Sequence, residues 1–419
     1  MTAASDNTSA IELNGRGYRW PRRPVVVVCI DGCDPAYLED GFRRGALANM
    51  ARFAERGFSA VAEAVVPTFT NPNNVSIVTG SPPAVHGISG NFFLDPDSGA
   101  AVSMTDPALM RSDTVLAAFA RAGARVAAIT AKDKLRRLLG RGIEGHPCFS
   151  AERAGACSLG QNGIEGVLEL AGMPQPDVYS AELSYFVLEA GIALLERGRV
   201  ELMYLSLTDY VQHKFAPGEP EAVAFHEALD TAFGRLAALG AIVGLTADHG
   251  MNDKARADGS PNVIFVQDAL DDAFGSGSTR VICTITDPYV LHHGALGSFV
   301  SVYCRDGVEP EAVARHLATL PGIEDVFERA AASSRFELPS DRIGDVVVIG
   351  DRGTVLGGAE TEHDLTGLAG HRLRSHGGTA ERAVPLILSE PLSPPYRRRA
   401  ADARLRNFDI FDFAINGVD

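Results

Sequence analysis

The sequence predicts an α/β fold: a doubly wound, mostly parallel sheet with helices on both faces, plus a smaller α+β cap. Three observations predict it. Apolar runs such as VVVVC at 25–29 lack polar alternation, the pattern of strands buried on both faces. These runs alternate with amphipathic helical segments along the chain. Acidic, imidazole and hydroxyl side chains recur just past the runs, where an open α/β sheet gathers its site.

In order, residues 1–20 read as a polar tail, and PVVVVCIDG as a buried strand ended by Asp-Gly. Residues 45–56 place Leu47, Met50 and Phe53 at helical spacing before Gly57. FSAVAEAVVP follows, then a Pro- and Asn-rich loop, then NVSIVTG. Residues 113–122 read as a helix, RVAAIT as a strand, 181–198 as a helix and VELMYLSL as a strand. Helix 220–239 leads to AIVGLTADHG. Residues 21–261 and 351–419 form the expected core, with PLILSEP as a late core strand. Between them, 262–350 reads as an inserted cap, with VICTITDPYVLHHG, FVSVYC, GIEDVFER and RIGDVVVIG as strands and EPEAVARHLATL as a helix.

A net charge of −15 opposes broad binding to nucleic acid or anionic membranes. A small anionic substrate is still compatible, because bound metals and a few lysines reverse the field locally. The six cysteines form no CxxC pair, and the first twenty residues hold no apolar export segment. Buried thiols, no membrane span and a reducing cytoplasm are the expectation.

Six side chains have the chemistry of metal ligands: Asp31, Asp209, His213, Asp248, His249 and His376. Taken singly each has an ordinary reading. Asp31 is a turn carboxylate, Asp209 and His213 an i,i+4 surface pair, and His376 a loop imidazole. Asp248 and His249 would point oppositely on a strand, but a loop starting there turns both to one crevice. Solvated residues have no reason to recur at successive strand ends, so the set points to two zinc-like ions. Thr68 and Thr70 in PTFTNPNN are hydroxyls suited to metal-assisted attack, and spacing does not choose between them.

The ordered motifs VCIDG, PTFTNPNNVSIVTGSPPAVHGISGN, DYVQH, TADHGM and SHGG resemble the alkaline phosphatase superfamily. Within it the chain is similar to the nucleotide pyrophosphatase/phosphodiesterase branch. YRWPRRPVVVVCIDG, TAKDKLR and ITDPYVLHHGALGSF resemble the phosphonoacetate hydrolases in particular, from about residue 15 to the end. The resemblance implies an alkaline-phosphatase-like fold and two Zn2+. One zinc would be held by Asp31, Asp248, His249 and the Thr68 hydroxyl, the other by Asp209, His213 and His376. It assigns Thr68, rather than Thr70, as nucleophile, and Asn91 as donor to a phosphoryl oxygen. It also implies a dimer.

The implied substrate is phosphonoacetate, cleaved at carbon–phosphorus through a phosphothreonine. Breaking that bond expels a carbanion, which the neighbouring carboxylate stabilises as an enediolate when cations lie at its end. Lys132 and Lys134, facing one side of an extended loop, are the expected cations, with His293 and Arg374 as weaker contacts. A phosphodiesterase or nucleotide pyrophosphatase on the same metals is the alternative, with Phe69 or Phe92–Phe93 as a base slot. A phosphomutase and a non-catalytic metal-binding protein rank lower. The first lacks a second arginine cluster, and the second would not need an intact ligand set.

Overall fold

The computed structural model describes residues 10–285, 295–368 and 370–419. Its centre is a seven-stranded sheet. From one edge the strands run Phe58–Glu63, Ala383–Leu388, Ile242–Thr246, Val25–Cys29, Leu202–Ser206, Val126–Thr130 and Cys148–Ser150. The last five are parallel. Val25–Cys29 lies in the middle with every residue buried, which is why its sequence shows no alternation. Ala383–Leu388 is indeed a core strand, but it runs antiparallel to both its neighbours. Helices Glu182–Glu196 and Pro220–Ala238 bury apolar side chains in the same core as the sheet.

One expected loop is a helix. The Pro- and Asn-rich stretch enters helix Thr70–Thr79, with all residues from Asn71 to Thr79 buried. Pro72 is tolerated because it falls in the first turn, where its missing N–H has no intrahelical acceptor. Asn73 and Asn74 are buried but satisfied. Asn73 Nδ2 donates to the carbonyls of Val65, Pro67 and Phe69, and Asn74 Nδ2 to that of Thr70.

Between 279 and 350 a separate four-stranded sheet is antiparallel throughout, in the order Thr279–Cys283, Phe299–Cys304, Val346–Gly350, Ile323–Glu328. Helices Val266–Phe274 and Pro310–Leu317 share an apolar cluster with it. A second cluster joins Phe69 to Ile285, Phe299, Phe336, Val347 and Ile349. The segment between Pro67 and helix Thr70–Thr79 is thereby braced by this second sheet. No helix among the described residues is long and apolar enough to cross a membrane. All six cysteines are free thiols.

Candidate active site

Three adjacent parallel strands, Ile242–Thr246, Val25–Cys29 and Leu202–Ser206, each end just before an aspartate: Asp248, Asp31 and Asp209. Strand spacing alone therefore brings three carboxylates to one crevice. The next strand, Val126–Thr130, delivers Lys132 to the same edge. Gly32 makes the turn after Asp31 with φ 69°, and a Cβ there would sit 3.0 Å from Asp209 Cβ. A side chain at 32 would push apart two of the three acids.

Asp209 immediately precedes helix Tyr210–Lys214, so His213 stacks one turn on, with Nε2 2.8 Å from Asp209 Oδ2. His249 Nε2 lies 3.3 Å from Asp31 Oδ1 and 3.7 Å from Asp248 Oδ2. His376 Nε2 lies 3.9 Å from Asp209 Oδ2. His376 was expected in a flexible polar loop. It is instead buried, following a short strand, Arg374–Ser375, that pairs with Asn252–Asp253. Among the described residues, two groups have ligand atoms within 4.8 Å of one another: Asp209, His213 and His376, and Asp31, Asp209 and His249. The first equals the set the resemblance implied for one metal. In the second Asp209 stands where Asp248 was expected. Asp248 Oδ1 accepts from Gly32 N–H and His249 N–H, and its Oδ2 from Asn74 Nδ2.

All three imidazoles spend Nδ1 on a backbone carbonyl: His213 on Arg374 O at 2.8 Å, His249 on Gly250 O at 3.0 Å, His376 on Thr68 O at 2.7 Å. A carbonyl only accepts, so each Nδ1 carries a proton and each Nε2 is the ring atom turned to the acids. This is the arrangement that outer hydrogen bonds impose on metal-binding histidines. Among the described residues, Asp31 Oδ1 and His249 Nε2 are buried without a hydrogen-bond partner, and they face each other. Burial, and then the charges on Asp209 and Asp248, push the Asp31 carboxyl well above its ordinary pKa. Burial acts the same way on Asp209, but His213, Lys132 and His376 outweigh it and hold that acid well below. Burial, then His249 and His213, hold His376 well below the usual imidazole value. The donor set thus fits divalent cations bound by oxygen and nitrogen.

Thr68 does not present a free hydroxyl to this cluster. Its side chain is fully buried, and its Oγ1 donates to Gly378 O and accepts from Gly377 N–H, both at 2.9 Å. Gly377 has φ 127°, and a Cβ there would meet Phe69 Cε1 at 2.6 Å, so this close turn requires glycine. Thr70, half-buried, is the first residue of its helix. The neighbouring Asn71 N–H donates to Asn91 Oδ1 at 3.3 Å. Asn74 Nδ2 bridges Thr70 O and Asp248 Oδ2, at 3.0 and 3.1 Å.

Lys132 Nζ lies 3.9 Å from Asp209 Oδ1. Lys134 is not in an extended loop beside it, because Lys132 caps helix Asp133–Leu139 and Lys134 falls in the first turn. Burial first, and then the charge on Lys132, push the Lys134 pKa down to about 7, against the pull of Asp209 and Asp31. Arg374 is buried, and its Nε and Nη2 donate to Gln212 O, Met251 O and the Tyr37 hydroxyl. His293 lies outside the described residues. Sequence reading missed Asn74, whose amide is oriented by Tyr204 and Ser206 hydroxyls donating to its Oδ1. No local pattern marks it, since those partners are 130 and 132 residues away.

Residues 25–378 match the family model described as type I phosphodiesterase / nucleotide pyrophosphatase. The chain belongs to that family. Its fold is that of phosphonoacetate hydrolase from Sinorhizobium meliloti 1021, at 48% identity over 98% of this chain and 99% of that one. The TM-score is 0.93 against the phosphonoformate complex of that protein and 0.92 against its phosphonoacetate complex. Murine ectonucleotide pyrophosphatase / phosphodiesterase 5, solved as an inactive variant with AMP, shares the fold at TM-score 0.63 and 17% identity, over 95% of this chain and 96% of that one. A Schizosaccharomyces pombe protein described as an uncharacterized pyrophosphatase/phosphodiesterase is 26% identical over 58% of this chain, a match spanning 44% of its own length. Membership places the chain among hydrolases of phosphorus compounds.

Proposed function

We propose that this family member is a di-zinc phosphonoacetate hydrolase, releasing acetate and phosphate through a phosphothreonine. The observation that carries the substrate assignment is the lysine pair at the rim of the acidic cluster, with Lys132 Nζ 3.9 Å from Asp209 Oδ1. Support also comes from the 48%-identical protein solved with phosphonoacetate and with phosphonoformate. Asp31, Asp248 and His249 would hold one zinc, and Asp209, His213 and His376 the other. Bound there, the ions supply charge to neutralise phosphoryl oxygens and to lower the cost of ionising a hydroxyl.

The hydroxyl we assign is Thr70, not Thr68. Thr68 Oγ1 has both roles filled by the Gly377–Gly378 backbone, whereas Thr70 opens a helix beside Asn91. Asn91 Oδ1 faces the Asn71 N–H, and its Nδ2 has no partner among the described residues, leaving a donor for a phosphoryl oxygen. Attack of Thr70 oxygen on phosphorus forms a P–O bond and breaks the P–C bond. The Thr70 hydroxyl gives up its proton, and the electron pair leaving on carbon delocalises into the carboxylate held by Lys132 and Lys134 and takes up one proton to give acetate. Water then hydrolyses the phosphothreonine. Residues 262–350 are assigned as a cap over this site, and the unpaired thiols fit a reducing compartment such as the cytoplasm.

The rival reading, a phosphodiesterase, loses its proposed base slot at Phe69. That ring is fully buried against Phe299 and His376, with centroids 6.4 and 5.6 Å away. The deciding assay measures acetate and phosphate release from phosphonoacetate beside turnover of a nitrophenyl phosphodiester, each with chelation and zinc add-back. Faster turnover of the diester than of phosphonoacetate would overturn the assignment.

A further inference from the structure

Away from the acidic cluster, Lys254 and Glu381 form an ion pair at 2.9 Å whose side chains are both wholly buried. Removing two charges from water is costly, and an apolar pair of the same size packs as well or better. What such a replacement would lose is the rest of the carboxylate's hydrogen bonds. Lys254 Nζ and Asn252 Nδ2, at 2.9 and 2.6 Å, both donate to Oε1. Oε2 accepts the Gly378 N–H at 3.0 Å. The Gly378 carbonyl takes the Thr68 hydroxyl at 2.9 Å, and the Thr68 carbonyl takes the His376 Nδ1–H at 2.7 Å. Glu381 also reaches the opposite loop, because its backbone carbonyl accepts the N–H of Gly250, next to His249, at 2.8 Å.

We propose that Glu381, fixed by Lys254, is a positioning residue that acts through Gly378 and Thr68 to hold His376 in its metal-binding tautomer. It thereby sets the affinity of the metal position formed by Asp209, His213 and His376. The inference rests on the two-metal reading above and gives Thr68 a role as a link rather than a nucleophile. The charge on Glu381 has a physical purpose here. A carboxylate saturated at Oε1 by two donors can only turn its other oxygen to Gly378, so the 377–378 turn has one orientation.

The test is a zinc titration of the purified full chain against a chromophoric chelator, with melting of the metal-free protein measured in parallel. Wild type is expected to bind two zinc ions. In Glu381→Gln, and in Thr68→Val, one ion should bind about 10- to 100-fold more weakly, the range for loss of an outer partner, while the other is unchanged. The doubly neutral Lys254→Met/Glu381→Gln chain avoids a stranded buried charge, and should show the same selective loss if Glu381→Gln fails to fold. In the metal-free folded variants the His376 Nδ1–H resonance should lose its wild-type position. Two sites of wild-type affinity in any folded variant would overturn the relay. Equal weakening of both sites would reduce it to general destabilisation and overturn it too. A wild-type chain that binds no zinc would instead sink the two-metal reading, and the relay with it.

Discussion

The imidazole rings of His249 and His376 stack with centroids 3.5 Å apart and planes 9° from parallel. They come from loops far apart in sequence, and each is held from behind by a different carbonyl, Gly250 O and Thr68 O. Positive charge on either ring would lie against the other, and burial with the neighbouring imidazoles holds His376 well below its ordinary pKa. Their Nε2 atoms face Asp31 and Asp209 across 3.3 and 3.9 Å. Metal cations satisfy such a set without protonating any member of it.

Chelation should therefore do more than stop turnover. A metal that binds only the folded chain stabilises it by about 4 kcal/mol at a thousandfold excess over Kd. The melting temperature should fall on treatment with chelator and return on zinc addition, in step with activity. Unchanged melting in fully demetallated protein, measured by calorimetry, would contradict the assigned ligands.

The two threonines should separate cleanly. Thr70→Ala is expected to abolish phospho-enzyme formation, and Thr70→Ser to retain part of it. Thr68→Ala should still form phospho-enzyme, but lose about 1–3 kcal/mol of stability from the stranded Gly377 N–H and Gly378 carbonyl. Asn91→Ala should lower kcat by about 10²–10³-fold if its amide donates to the phosphoryl group. Mass spectrometry of quenched turnover reads phospho-enzyme in the three threonine variants, denaturant titration the stability of Thr68→Ala, and steady-state kinetics the Asn91→Ala loss. Phosphorylation on Thr68 would reverse the assignment.

Lys132→Ala should impair phosphonoacetate cleavage far more than hydrolysis of an aryl phosphate, whose leaving group has no carboxylate to clamp. The pH profile carries a second signature. The cationic form of Lys134 is present below about pH 7 and is lost as pH rises through that value, so kcat/KM for phosphonoacetate should decline on the alkaline side. Because the Lys132 charge helps to depress Lys134, Lys132→Ala should move the decline to higher pH. Equal losses on both substrates, or an unmoved profile, would count against the clamp.

Acid should destabilise the fold away from the metal site. His86, buried with Ser76 Oγ 2.8 Å from its Nε2, has its pKa pushed by burial down to about 3. Burial takes His226, in the helix against Tyr37, down to about 4. Below pH 6.5 the unfolded chain takes up protons that these folded imidazoles refuse, so stability falls as pH drops from 6.5 towards 4. At pH 5 each contributes about 2 kcal/mol to the loss. Urea midpoints against pH, for wild type and His86→Asn, measure it. The variant should show a shallower slope.

Much of this protein is written locally. The apolar run 25–29 specified a strand buried on both faces because a doubly covered strand has no polar side to display. Asp209 and His213 were legible as a pair because one helical turn separates them, and that turn formed. The recurrence of acids after strand-like runs announced a crevice, since parallel strands present their carboxyl ends together. Local reading failed where a local pattern had two meanings. TNPNN has the composition of a loop, yet tertiary contacts of Asn73 and Asn74 make it a buried helix. The lysines of TAKDKLR belong to a helix start rather than an extended stretch.

The sequence by itself determined which side chains were available for chemistry and the mostly parallel sheet that gathers them. Only the tertiary structure decided what the Thr68 hydroxyl touches, because the groups that engage its Oγ1 lie 309 and 310 residues away. It also decided that Ala383–Leu388 runs antiparallel and that Lys254 and Glu381 meet, 127 residues apart. Periodicity and turn chemistry act over a few residues. The partner of a hydrogen bond is chosen by whatever the finished fold brings within 3 Å, and no stretch of chain encodes that alone.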